Sequence, residues 1–267
     1  MAARGDAVRP RYVTPGYSYA APLERWLRRR GLEPVPAPPS MSLSLLEEGS
    51  AEAGMVPLGD LAAGAPVEPC PGPMVYSGYT TLSVAVVSAS YNRLSSCPAI
   101  AVTAETRTSI LYLRAVLREK GLHTPLVPAE TSRHRELLRL APCALVIGDE
   151  ALRAIASGLT VVADIGEAVR DTLGVKPVYA ATAVPHSQGC PRRVANPPWP
   201  RASPRDALET SHRTGLPLAL STLYHMELLR LDYNPQALWD ALTLLAEEAR
   251  KTPPPWLKPV PATTRQR

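Results

Sequence analysis

Residues 143–184 read CALVIGDEALRAIASGLTVVADIGEAVRDTLGVKPVYAATAV, and this stretch decides the fold class. CALVIG is an apolar run of strand length, DEALRAIASG a helical segment, and LTVVADIG a second strand with its turn. EAVRDTLG is a second helix and KPVYAATAV a third strand. Strands alternating with single helices across short turns argue an α/β fold with mostly parallel sheets.

Working outward, AIAVT (99–103) runs into TRTSILYLRAVLREKG (106–121). Its Ile110, Leu113, Val116 and Leu117 recur at helical spacing, and Gly121 ends it. TLSVAVVSA (81–89) has the β-branched character of a central strand. Nearer the N-terminus, a strand at residues 10–14 leads through a Pro-Gly turn into a helix at 22–30. Ser40 reads as the N-cap of a helix ending at Glu48, and AEAGMVP follows as a short buried strand. Past residue 204 the pattern turns helical, over 204–214, 219–231 and 235–251. Of the proline clusters, PVPAPP (34–39) and PVEPCPGP (66–73) read as loops between a helix and a strand, and PRRVANPPWPRASP (191–204) as a connector. Residues 253–267 form a Pro-rich basic tail. The length is awkward for one doubly wound sheet, so the strands at 81–89 and 176–184 are expected to cross between two lobes. Lobe 1 is expected to comprise residues 1–93 and 185–252 and lobe 2 residues 94–184, with a ligand cleft between them.

At 267 residues, 45% apolar and 20% charged, the chain excludes collagen-like, coiled-coil and wholly disordered classes. It contains no Phe, so Leu, Val, Ala, Tyr and Trp must fill the core. Its 30 Pro are roughly twice the usual ~5%. A net charge of +5 favours an anionic partner weakly. The densest basic cluster, Arg25 with Arg28, Arg29 and Arg30, lies at a helix C-terminus, where cations complement the dipole. No basic stripe interleaved with aromatics is present, so no nucleic-acid partner is expected. The N-terminus offers no apolar signal-peptide core and no window holds 18 unbroken apolar residues, so the expectation is a cytoplasmic protein without membrane contact. Cys70, Cys97, Cys143 and Cys190 are scattered singly, and the five His share no ligand spacing, so no metal site is expected. A disulfide between loops fits only a heat-adapted source. GxSxG, P-loop and GxGxxG motifs are all absent.

The strongest candidate for chemistry is TAETRTS (103–109), a hydroxyl-rich turn joining a buried strand to a helix N-terminus. Free N–H groups and the helix dipole make such a turn a carboxylate or phosphate site, with Thr106, Thr108 and Ser109 as side-chain donors and Arg107 as a charge. The same turn is equally explained by one hydroxyl capping the helix. The first loop carries Tyr17, Ser18 and Tyr19, which can line a cleft or pack against lobe 1. Asp149 either faces the cleft from a strand end or caps the helix that follows.

The collinear succession PSMSLSLLEEGSAEAGMVPLGDLAAG (39–64), AVTAETRTSILYLRAVL (101–117), ALVIGDEAL (144–152), VADIGEAVRDTLGVKPVYAATAV (162–184) and LYHMELLRLDYNPQALWDAL (223–242) resembles the chorismate dehydratase family of the futalosine route to menaquinone. The resemblance implies a two-lobe fold like the type 2 periplasmic binding proteins and a cytoplasmic lyase that needs no cofactor. It implies a small-molecule dicarboxylate substrate, held by Thr106, Arg107, Thr108 and Ser109 from one lobe. Val56 and Pro57 would line the other wall, with Ser77 before the interlobe strand and Asp149 in the family's IGD. Gly148 stands where a sister enzyme of the pathway is expected to carry a catalytic His, which favours the dehydratase branch. The first loop departs from the family pattern SYLNTRPL: in GYSYAAPL (16–23), Tyr19 occupies the Asn position and Ala21 the Arg position. No side chain is an obvious general base, so a carboxylate of the substrate is expected to serve. The reading from a different class is a non-catalytic binding protein for an aromatic or dicarboxylate metabolite.

Overall fold

The structure is a computed structural model that describes residues 9–186 and 188–251. The tail expected at 253–267 lies outside the described residues. The first part of the chain forms β1 (Arg11–Pro15), α1 (Ala21–Arg29), β2 (Glu33–Ala37), α2 (Ser42–Glu47), β3 (Ala53–Pro57), α3 (Leu58–Ala62) and β4 (Val67–Ser77). The middle forms β5 (Val84–Ser88), β6 (Ile100–Thr103), α4 (Arg107–Glu119), β7 (Leu126–Ala129), α5 (His134–Leu140), β8 (Cys143–Ile147), α6 (Gly148–Ala156), β9 (Thr160–Asp164) and α7 (Ile165–Leu173). The remainder forms β10 (Val178–Pro185), α8 (Arg192–Ala195), α9 (Pro204–Thr214), α10 (Leu218–Leu223), β11 (Leu229–Arg230) and α11 (Pro235–Lys251).

Two sheets result, ordered β11-β4-β10-β3-β1-β2 and β7-β6-β8-β5-β9. The α/β class is as expected, but the sheets are mixed rather than mostly parallel. β1 is parallel to β2 and β3, and β6 to β7 and β8. β10 is antiparallel to β3 and β4, and β5 to β8 and β9. Connectivity is the reason: β5 enters the second sheet from the first and β10 returns, so each runs against the βα units it joins. The crossing strands therefore sit differently from the expected division. β5 lies within residues 1–93 yet pairs in the second sheet, and β10 lies almost wholly within 94–184 yet pairs in the first.

Two proline clusters expected as loops are strands. Pro34 and Pro36 lie on β2, and Pro69, Pro71 and Pro73 on β4. On β2 a spacing of two puts both missing N–H groups on the same edge. On β4, Pro71 and Pro73 lie where the pairing with β10 slips between Pro69 and Met74, an irregularity of the kind that tolerates proline. β2 is an outer strand, and β11 covers β4 only at Tyr76 and Ser77. The helix expected at 219–231 also ends early: α10 passes into a π turn at Tyr224–Leu228 and then β11. Pairing of Leu229 and Arg230 with β4 draws the backbone out of the helix.

Tyrosine replaces Phe in the core. Tyr12, Tyr112 and Tyr224 are among the largest fully buried side chains. Each hydroxyl is paired: Tyr12 with Thr182 Oγ1 at 2.7 Å, Tyr112 to the Val178 carbonyl at 2.9 Å, and Tyr224 to Ser83 Oγ at 3.0 Å. The arginine cluster is largely spent within the fold, with Arg25 reaching Asp206 on α9, Arg28 on Glu24 and Arg30 over the Trp26 ring.

All four cysteines are bonded, as Cys70–Cys190 and Cys97–Cys143. The second pair fastens the turn after β5 to β8, within the second sheet. A bridge of this kind typically contributes about 2–4 kcal/mol, and each kcal/mol moves the melting temperature of a chain near this size by about 2–4 °C. The double variant Cys97→Ala/Cys143→Ala should therefore melt roughly 4–16 °C lower in a calorimetric scan; an unchanged transition would show that the bridge does not form.

Candidate functional site

Helix α4 connects β6 to β7 of the second sheet but packs against α3 and α11 of the first lobe as well as α7. Its start is held there by three contacts. A Cβ on Gly59 would lie 2.7 Å from the Arg107 carbonyl oxygen, so only glycine permits this approach of α3 to α4. Arg107 Nε donates to both oxygens of the buried Asp60, at 2.6 and 2.8 Å. Burial still raises the Asp60 pKa, against the opposing pull of Arg107. Thr108 Oγ1 donates to the Tyr179 carbonyl at 2.7 Å and accepts from Gly59 N at 3.0 Å.

Between the lobes lies a cleft lined by residues of both sheets. It leaves about 50 Å³ in which the centre of a water molecule fits, room for roughly three to five waters. The cleft as it stands is too small to hold a ring-sized metabolite. The walls are chiefly apolar, with hydroxyls of Ser42, Thr81, Ser83, Thr108, Ser109 and three tyrosines, and Glu105 as the one charged residue. No cation lines the cleft among the described residues. Positive potential comes instead from backbone: Ser42, Pro57, Thr108 with Ser109, and Gly148 mark the starts of α2, α3, α4 and α6. None of these four helices has a bond from its own N-cap side chain, whereas Asp164 caps α7 and Ser203 forms a capping box on α9. The short 3-10 turns that lead into two of them use some donors: Thr103 Oγ1 caps the turn before α4, accepting from Glu105 N at 3.2 Å, and Ser42 N donates to the Pro39 carbonyl before α2.

Of the residues singled out from sequence, Tyr17, Tyr19, Pro57, Thr108 and Ser109 line the cleft. The others do not, for identifiable reasons. Val56 alternates with Met55 and Pro57 along β3 and faces the cluster under α2. Thr106 Oγ1 donates to the Thr103 carbonyl at 2.6 Å, and Arg107 is spent on Asp60. Ser77 Oγ bonds Thr81 Oγ1 at 2.9 Å. Asp149 neither faces the cleft nor caps α6. Its Oδ1 accepts from Ser18 N and Oγ at 2.9 and 2.7 Å, and its Oδ2 pairs with Arg213 at 2.7 Å. Together Ser18 and Asp149 fasten the first loop to the second lobe. A second tie joins the lobes where Ser40, expected as a helix cap, donates to Glu105 Oε1 at 2.6 Å.

Tyr17 and Gly148 fit as a pair. Gly148 has φ +59°, and a Cβ there would lie 2.6 Å from the Tyr17 ring. The ring thus fills the space that a side chain at 148 would need. Burial, with the neighbouring Tyr19, Glu105 and Asp149, raises the Tyr17 pKa; burial and Asp149 raise that of Tyr19. Both phenols stay protonated at neutral pH and act as donors, not bases.

Sequence reading missed Ser42, Thr81, Ser83, Glu105 and Tyr179. Ser42 had a signal, a polar residue one helical turn from the buried Leu46 on the same face. Thr81 and Ser83 had none, because only the crossing of the two lobes brings that loop to the cleft.

Thr108 is committed to structure, while Ser109 makes no comparable tie among the described residues. Thr108→Val leaves the Gly59 N–H and the Tyr179 carbonyl unpaired, and should cost about 1–3 kcal/mol in denaturant unfolding. Ser109→Ala should stay within about 0.5 kcal/mol of the parent. Equal losses in both would overturn this division of roles.

The fold has close counterparts. The AF1704 protein of Archaeoglobus fulgidus superposes with TM-score 0.63 at 13% identity, covering 92% of this chain and 98% of its own. The alkanesulfonate-binding protein SsuA of Xanthomonas axonopodis pv. citri, bound to MOPS, gives TM-score 0.64 at 15% identity, with 92% and 94% covered. The periplasmic aliphatic sulphonate-binding protein SsuA of Escherichia coli gives 0.57 at 15%, with 91% and 86% covered. At such identities these establish the two-lobe, periplasmic-binding-protein-like fold. No curated protein matches the chain in sequence. A family model described as menaquinone biosynthesis matches residues 49–195, more than half of the chain, and spans β3 to β10 with the starts of α3, α4 and α6 at the cleft. The chain therefore belongs to the menaquinone biosynthesis family.

Proposed function

We propose that the protein dehydrates chorismate to 3-[(1-carboxyvinyl)oxy]benzoate as its part in menaquinone biosynthesis. The observation that carries this reading is a hydroxyl-lined cleft, without a cation among the described residues, onto which Ser109 and the starts of α4 and α6 open. Such a site suits carboxylates, which gain backbone donors and the dipole while their ring meets apolar walls. SsuA of Xanthomonas, which shares the fold, holds MOPS, a sulfonate.

In the reaction a proton leaves the ring carbon bearing the ether and hydroxide leaves its neighbour, forming water and an aromatic ring. Aromatisation drives the step, so the protein must mainly orient the substrate and exclude water. The tyrosines are held protonated and are not bases; in the proposed reaction a carboxylate of the substrate accepts the proton. Ser109 and the N-terminus of α4 hold a carboxylate, and the Tyr17 and Tyr19 rings bound the space for the ring. The bonds of Thr108 and Ser77 remove both from direct contact. A cytoplasmic location belongs to the same reading, and two disulfides persist there in heat-adapted sources.

A second reading, a non-catalytic binder of the same class of anion, is favoured by one feature. Tyr19 and Ala21 occupy the first-loop positions where the resembled family carries Asn and Arg. Incubation with chorismate, followed by ultraviolet absorbance and product mass, separates the two. We expect loss of 18 mass units (one water) and a benzoate spectrum. Thermal stabilisation by chorismate without turnover would leave the binder. Neither effect would remove both readings.

A further inference from the structure

Buried hydroxyls in folded proteins nearly always have a hydrogen-bond partner. Ser42 does not: it is 0% exposed, it lines the cleft, and its Oγ meets no partner. Its own helix does not use it, since the α2 N-cap is Met41 and no side chain caps that end. A hydroxyl left in this state is destabilising, and a bound acceptor would recover that loss.

The surroundings indicate where that acceptor sits. The Ser40–Glu105 bond, two residues before Ser42, ties the turn entering α2 to the turn entering α4. Ser42 and Ser109 therefore reach one cleft from opposite lobes, and Ser109 is itself 4% exposed. α4 is 13 residues long and its N-cap, Thr106, makes no side-chain bond to it; Thr103 caps the short turn leading into it, through Glu105 N, and leaves Ser109 untied.

We propose that Ser42 and the α4 N-terminus with Ser109 form a two-sided carboxylate subsite. One oxygen is met by the Ser42 hydroxyl from the first lobe, the other by the Ser109 hydroxyl and leading amides from the second. All donors are neutral, which suits a singly charged carboxylate. A phosphate dianion would lose its hydration here without a cation to replace it. This rests on the anionic-substrate reading above and adds the group that is gripped.

The test compares parent, Ser42→Ala and Ser109→Ala, with chorismate as substrate and benzoate as a minimal carboxylate probe in thermal shifts. We expect Ser42→Ala to melt, without ligand, at or above the parent temperature, because an unsatisfied polar group is removed. We also expect it to lose at least tenfold in kcat/KM and to lose the benzoate shift, with Ser109→Ala losing that shift too. An unchanged kcat/KM with an unchanged benzoate shift would overturn the subsite, as would a variant that cannot fold, since Ser42 would then be a structural residue. If the parent does not turn over chorismate, the proposed reaction fails, and benzoate alone decides the subsite. Protection of the parent but not of Ser42→Ala upholds it; equal protection of both, or of neither, removes it.

Discussion

The start of α4 lies against α3 at a separation only glycine allows, and the cleft is built on that contact. With Gly59 beneath the Arg107 carbonyl, Arg107 reaches Asp60 and Thr108 reaches both Gly59 and the Tyr179 carbonyl. The N-terminus of a second-lobe helix is thereby registered against β3, α3 and β10 of the first lobe. A buried ion pair of this kind is costly to break from one side, because the remaining charge stays desolvated. Its role is positional: it decides where Ser109 and the leading amides of α4 point.

The remaining joints between the lobes are softer. Ser18 with Asp149 and Ser40 with Glu105 are hydrogen bonds at the cleft rim, backed by the partly exposed Arg213. The α3–α4 contact and the crossing strands β5 and β10 join the lobes independently of these ties.

The chemistry of the cleft is that of aligned backbone with protonated hydroxyls. In the proposed reading, carboxylates placed at helix starts avoid burying cations that would need partners of their own. It also leaves few groups able to accept a proton, which is consistent with a substrate whose own carboxylate does so. The pairing of Tyr17 with Gly148 closes one route to different chemistry, because a side chain at 148 and the Tyr17 ring cannot share that space.

Local pattern alone determined the alternation of strands and helices, the amphipathic run that becomes α4, the turn at 103–109 as a helix start, and the resemblance to a menaquinone-pathway family. These depend on periodicity and on neighbours within a few residues, which the chain carries in itself. Tertiary structure decided the rest. Prolines at 34, 36, 69, 71 and 73 became strand residues because β2 presents a free edge and the pairing of β4 with β10 slips, which no local signal reveals. Arg107, Asp149 and Thr106 had the right chemistry for a ligand, but partners distant in sequence or a local carbonyl claimed them first. Ser42, Thr81 and Ser83 entered the cleft because two lobes meet there. A hydroxyl's availability depends on what lies within 3 Å of it, and that is settled by packing between segments far apart in the chain.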